Sequence, residues 1–295
     1  MKSREDRVFN TLNILYMLTV LVVTLYPFLH ILAVSLNDAR DATRGGIGIL
    51  PRVVSFDSYK TVFGYSGLYN AFFISVARTL SGTLLFLVVT LFCSFALTKK
   101  KLPGYKLIYY FFVVSMFVGG GLIPSFLLYQ KIRLYNTFWV YILPGAFSAY
   151  YMILLRTFII QLPPGLEESA MIDGANEWTT LFRIILPLST PILATVGLFV
   201  AVGQWNSWQD TLYFTTKPEL ESLQYVLMRV LQQAEAAKIT KQAKSMMARQ
   251  LGTTNITPES IKMAITIVAT LPILCVYPFL QRYFVKGMVI GAVKG

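Results

Sequence analysis

The chain has 295 residues, 55% of them hydrophobic and only 14% charged, with a mean hydropathy of +0.59 and a net charge of +12. That balance excludes an ordinary soluble domain, because the apolar residues gather into runs long enough to cross roughly 30 Å of hydrocarbon at 1.5 Å per residue. The basic residues lie in loops between those runs rather than along one amphipathic stripe, which argues for membrane topology and against a nucleic-acid partner.

The pattern predicts an all-α, polytopic membrane protein, one domain over residues 1–295 with six transmembrane helices. Met1 to Asn10 is polar and basic and leads into a first apolar run at about 14–36. A cleavable signal has an apolar region of about 7–15 residues, so this run reads as an uncleaved span. His30, the lone histidine, lies near its outer end and reads as a partly solvated interface residue. After a loop at 37–69 come spans at about 71–97, 107–129 and 137–160. Spans at about 191–214 and 263–284 complete the set, separated by a long loop at 215–261. Pro27, Gly119 to Gly121, Pro124, Pro144, Pro272 and Pro278 punctuate the runs and imply kinks and close helix contacts. Cys93 and Cys275 sit inside apolar runs without metal-ligand spacing, so no metal site is expected.

Short cytoplasmic loops retain Lys and Arg. Lys99, Lys100, Lys101 and Lys106 crowd the turn between spans two and three, which places that turn in the cytoplasm. Both termini then lie inside, and loops 37–69 and 215–261 lie outside. The longer outer loop carries Lys217, Arg229, Lys238, Lys241, Lys244 and Arg249 against Glu219, Glu221 and Glu235. Such an electropositive mouth favours an acidic ligand or docking face.

Loop 163–187, on the cytoplasmic side, has structure of its own. Pro163 and Pro164 end the preceding helix, and Glu167 and Glu168 suit the first turn of a new one. Gly174 suits a left-handed stop, Asn176 an N-cap, and Trp178, Leu181, Phe182 and Ile185 form one apolar face before Pro187. In span five, Gln204, Trp205, Asn206, Trp208 and Asp210 form a polar and aromatic string where lipid would demand apolar residues. Amides and carboxylates suit hydroxyl groups, and indole faces suit C–H surfaces, so these five residues are candidates for a substrate path. Interfacial tryptophan anchors are the competing reading. Arg78 in span two is a further path candidate, against snorkelling to the interface.

No phosphate-binding Walker pattern, nucleophile elbow or catalytic triad occurs, so the chain has no loop of its own to cradle nucleotide phosphates, and neither an enzyme nor a cofactor is expected. A secondary transporter acting alone usually needs buried acids or histidines and inverted repeats, which are absent here.

The spacing in loop 163–187 resembles the EAA loop of ABC importer permeases: Glu-Ala-Ala, three residues, Gly, nine residues, Ile, one residue, Leu-Pro. Glu168, Ala170, Gly174, Ile184, Leu186 and Pro187 fill those positions, with Ser169 for the first Ala. The basic turn Leu97 to Gly104 and the ending Pro278 to Gly287 are similar to the corresponding segments of carbohydrate-type permeases. This resemblance implies a type I ABC importer permease fold in a bacterial inner membrane, in the branch that includes maltose- and alginate-type oligosaccharide permeases. It implies as partners a second permease, two cytoplasmic ATP-binding subunits and an extracytoplasmic solute-binding protein. It assigns Glu168, Ser169, Ala170, Asp173, Gly174, Ile184, Leu186 and Pro187 to the contact with the ATP-binding subunit, with the tail residues Lys294 and Gly295 as a further contact. Together with the basic mouth, the resemblance tilts the expected cargo towards uronate-type oligosaccharides such as alginate or pectin fragments.

Overall fold

The computed structural model describes residues 4–100, 102–163, 165–239 and 257–292. The expected tail contacts Lys294 and Gly295 lie outside the described residues, as do Pro164, Lys101 and the outer-loop cations Lys241, Lys244 and Arg249. In chain order the helices are α1 (Arg4–Ser35), α2 (Ala39–Ala42), α3 (Asp57–Phe63), α4 (Leu68–Ala96), α5 (Tyr105–Ser115), α6 (Leu122–Lys131) and α7 (Ala149–Ile160). Then follow α8 (Gly165–Ile172), α9 (Glu177–Thr180), α10 (Leu186–Leu188), α11 (Thr190–Asn206), α12 (Gln209–Phe214), α13 (Leu223–Ile239) and α14 (Pro258–Ala292). The only extended pairing among the described residues is an isolated antiparallel bridge between Asn37 and Val54.

Three stretches are continuous, long and apolar enough to span: Val8–Ser35, Leu68–Ala96 and Pro258–Pro278. These match expected spans one, two and six. The middle three expected spans are interrupted, which corrects their reading as unbroken helices. Span three divides into α5 and α6 around Met116 to Gly121, where three successive glycines and the nearby Pro124 weaken helix continuity. Span four opens with a short 3-10 turn at Phe138–Tyr141, and only after Pro144 and Gly145 does α7 form. Span five consists of α11 and α12, broken at Ser207 and Trp208, and it enters through a 75° bend from Glu177–Leu188.

The chain divides into two compact units. One takes in residues up to Tyr69 together with Leu227–Pro272. There Ala33, Val34 and Ile47 form a small core against Ala42 and Met263. Buried Asn37 organises the adjoining loop: its Oδ1 accepts from the backbone N–H of Arg52 (2.7 Å) and Val53 (2.9 Å), and its Nδ2 donates to Asp41 (2.9 Å).

The second unit holds Asn70–Val226 and the chain from Ile273 on. In it α4 turns Ala71, Ser75, Arg78, Gly82, Phe86, Thr90 and Ser94 inwards, while Phe73, Leu80, Leu84 and Val88 stay exposed. The three- and four-residue spacing makes a buried stripe of small and polar residues. In a membrane this is the face that carries cohesion, because lipid competes with apolar contacts and close backbone approach and interhelical hydrogen bonds remain. Gly82 meets that need: a Cβ there would lie 3.0 Å from Gln204 Nε2. Ser94 Oγ donates to the Met152 carbonyl at 2.9 Å. Below it, Leu91, Phe95, Leu155, Ile159, Leu181, Ile185 and Leu193 form the largest cluster near loop 163–187.

Candidate functional site

Loop 163–187 is a helix, a fixed turn and a second helix. Glu167 and Glu168 occupy the first turn of α8, as dipole complementarity requires. Gly174 has φ +80°, and Ala175 N–H bonds to Ala170 O (2.8 Å) while Gly174 N–H bonds to Met171 O (3.1 Å). That pair of bonds is a Schellman stop, which satisfies the last carbonyls of α8. Asn176 caps α9 by accepting from Thr179 N–H at 2.8 Å. The chain then takes one wide π-helical turn at Leu181–Ile185 before α10.

Two attachments fix this element to α4. Trp178 and Phe182 stack with each other, and both meet Phe92 edge-on, with centroids 5.8 and 6.1 Å from its ring. Lys99 Nζ bonds to Glu167 at 2.8 Å and to Glu177 at 2.9 Å, so one ammonium ties the start of α8 to the start of α9. Burial draws the Lys99 pKa down, but the hydrogen bonds and charges of Glu167 and Glu177 outweigh it and leave it raised. Among the residues expected at the coupling contact, Ala170 is buried, Ile184 and Leu186 are half-buried, and Glu168, Ser169, Asp173, Gly174 and Pro187 are exposed. Met171 is exposed beside them and Ile172 is 86% exposed, so the tip presents uncovered apolar side chains.

The second candidate is a cavity of about 390 Å³ lined by Arg78, Phe86, Tyr129, Tyr141, Tyr151, Phe199, Gln204, Ser207, Asp210 and Phe214, among others. Arg78, Gln204 and Asp210 meet in its wall, whereas three other path candidates do not line it. Trp205 is buried, edge-on to Phe72 at 6.1 Å; Asn206 is exposed; Trp208 is half-buried at the helix break. Because α11 ends at Asn206, the three- and four-residue spacings across the break do not place these side chains on shared stripes. Arg78 is 1% exposed and ion-paired with Asp210, so it does not snorkel. Sequence reading missed Tyr141, whose ring lies 4.4 Å from the Arg78 guanidinium carbon, and gave Lys99 only a topological role. The (i, i+10) recurrence of Glu167 and Glu177 on either side of the Gly174 turn was the available signal for a shared cation.

Several long apolar helices, interrupted spans and a braced helix–turn–helix loop define a multi-pass membrane protein. The family model described as "Binding-protein-dependent transport system inner membrane component" matches residues 72–290, and the chain belongs to that family. It is 37% identical over 295 residues to protein LplC of Bacillus subtilis (strain 168), covering 99% of this chain and 97% of that protein. Over 292 residues it is 32% identical to the polygalacturonan/rhamnogalacturonan transport system permease protein YtcP of the same organism, covering 99% and 100%. A solved bacterial ABC transporter involved in the import of the acidic polysaccharide alginate aligns with a TM-score of 0.81 at 25% identity, covering 96% of this chain and 99% of that one.

Proposed function

We propose that the chain is one permease subunit of an ABC importer that brings an acidic, uronate-type oligosaccharide into the cell. The observation that carries this is the rigid loop 163–187, whose apolar tip of Met171 and Ile172 is exposed on an otherwise polar turn. A tip of this kind is suited to a cleft on an ATP-binding subunit, and its helical ends transmit force better than a flexible loop would. Glu168, Ser169, Ala170, Asp173, Gly174, Ile184, Leu186 and Pro187 make that contact, and Lys294 and Gly295 extend it. The membrane is crossed six times with both termini inside, counting each interrupted span as one crossing.

A second, different permease completes the pathway. Support comes from Met116 to Gly121, a non-helical stretch inside span three with Phe117 83% exposed. Irregular backbone is tolerated at membrane depth only against protein or water, so this stretch belongs at the subunit interface or pathway. The substrate passes the aromatic cavity beside Gln204 and Asp210, with Asn206 and Trp208 at its outer lip and Trp205 as support. Acidic cargo is supported by the basic outer loop and by the names of YtcP and the alginate transporter.

The test is ATP-dependent uptake of trigalacturonate by vesicles holding this chain, a second permease, ATP-binding subunits and a solute-binding protein. Uptake that requires all four supports the proposal. Uptake by this chain alone would replace it with a secondary transporter.

A further inference from the structure

We infer that Arg78 is a positioning residue that latches the interrupted span five to α4, and that it does not itself grasp the cargo. A guanidinium has five N–H groups, and here each has a partner. Nε donates to Gln204 Oε1 at 3.3 Å, and one terminal nitrogen donates to Gln204 Oε1 at 3.0 Å and to Asp210 Oδ2. The other donates to Asp210 Oδ1 at 3.1 Å and to the Ser207 carbonyl at 3.3 Å. The face of the group is covered by Tyr141. No donor is left for a ligand carboxylate.

Those partners lie before, within and after the break between α11 and α12. The Ser207 carbonyl follows the end of α11, where helix carbonyls lack intrahelical partners and a positive charge is favoured. One side chain therefore satisfies the break, neutralises Asp210 and fixes the angle at which α12 leaves the cavity wall. The segment beyond is held to the same unit: Tyr141 donates to the Leu220 carbonyl at 2.6 Å, and Ser75 accepts from Leu223 N–H at 2.8 Å. From Arg78 to Ala96, α4 runs unbroken for roughly 27 Å at 1.5 Å per residue, ending beside Lys99 and the braced loop. The latch thus sits within α4, roughly 27 Å along it from the end that packs against loop 163–187. Moving α4 against α11 and α12 requires these bonds to give way together.

The inference rests on the proposed permease role, and the experiment separates the two. Thr211 is buried one turn beyond the break and serves as reporter: Thr211→Cys, in the assembled complex with Cys93→Ala and Cys275→Ala, is labelled with a membrane-impermeant maleimide. Arg78→Lys keeps the charge but cannot reproduce the five-bond fork. The latch predicts that Arg78→Lys and Arg78→Met each speed labelling about tenfold or more, within the usual range of coupling energies, and lower maximal trigalacturonate uptake at unchanged KM. A ligand-grasping arginine predicts the contrary, and would overturn the inference: labelling at the unsubstituted rate, with KM raised by Arg78→Met and largely retained by Arg78→Lys. Should the arginine variants fail to assemble, Gln204→Met removes two of the five Arg78 bonds, together with the Gln204 bond to the Tyr141 carbonyl. It must then speed labelling measurably, and an unchanged rate refutes the latch. If the complex without these latch substitutions takes up no trigalacturonate, the cargo reading falls while the labelling still decides the latch.

Discussion

Gly174 holds φ +80°, a conformation in which a side chain costs about 1 kcal/mol, and open space surrounds the position where a Cβ would sit. Substitution there strains the backbone without any clash. Gly174→Ala is therefore expected to loosen the stop of α8 by about 1 kcal/mol, seen as faster amide exchange from Ala170 to Ala175. Asn176→Ala removes the α9 cap and should act similarly, by about 1 kcal/mol. Both features were legible before the fold was known, since glycine and asparagine announce their backbone roles. Lys99 was not, because a lysine among lysines gives no sign of which one will meet two glutamates. Its raised pKa means that the ammonium's contribution to the tie is fully present below the unfolded lysine value of about 10.4 and is lost as pH climbs through the higher folded value. Mutation is accordingly a better probe than pH. Lys99→Met should reduce retention of the ATP-binding subunit by about two- to fivefold, the scale of a half-exposed ion pair, while Lys99→Arg retains it. Equal retention in both variants would leave Lys99 a topological marker only.

At the scale of elements, expected spans one, two and six formed as single long apolar helices. The middle spans broke because hydropathy records affinity for lipid and says nothing of helix continuity. Their breaks fall at Gly119 to Gly121, Pro144 with Gly145, and Ser207 with Trp208, and only the first two carry helix-breaking residues. The third depends on Arg78 and Asp210, which are 132 positions apart, a tertiary pairing that one sequence does not display. If the break in span three faces the second permease, Phe117→Cys should form a disulfide-length crosslink to that subunit in membranes. Labelling of Phe117→Cys by a lipid-phase probe alone would place it against the bilayer instead. In the loop after α1, the Asp41 carboxyl is held below its usual range chiefly by the Asn37 hydrogen bond, opposed by burial and aided by Arg52 and Arg44. A lowered carboxylate contributes stability above the unfolded value of about 3.9 and loses it as pH falls through the folded value. Loop 37–54 should hence resist proteolysis at neutral pH and open only in acid below about pH 4. Opening already near pH 6 would implicate other groups.

For the whole molecule, the proposed function rests on the connection between loop 163–187 and the cavity wall through one helix. α4 buries Arg78 in its first half and meets Trp178 and Phe182 through Phe92 near its end. In that proposal a loop fixed this firmly moves with its helix, so an ATP-binding partner closing on the loop would displace the cavity wall as well. The most direct measurement compares unsubstituted and Gly174→Val complexes, purified through a tag on this chain and reconstituted with solute-binding protein, for ATP hydrolysed and trigalacturonate accumulated. The expected result is that both complexes contain the ATP-binding subunits and hydrolyse ATP, while Gly174→Val accumulates far less sugar per ATP. The same sugar-to-ATP ratio in the two complexes would contradict a coupling role for loop 163–187.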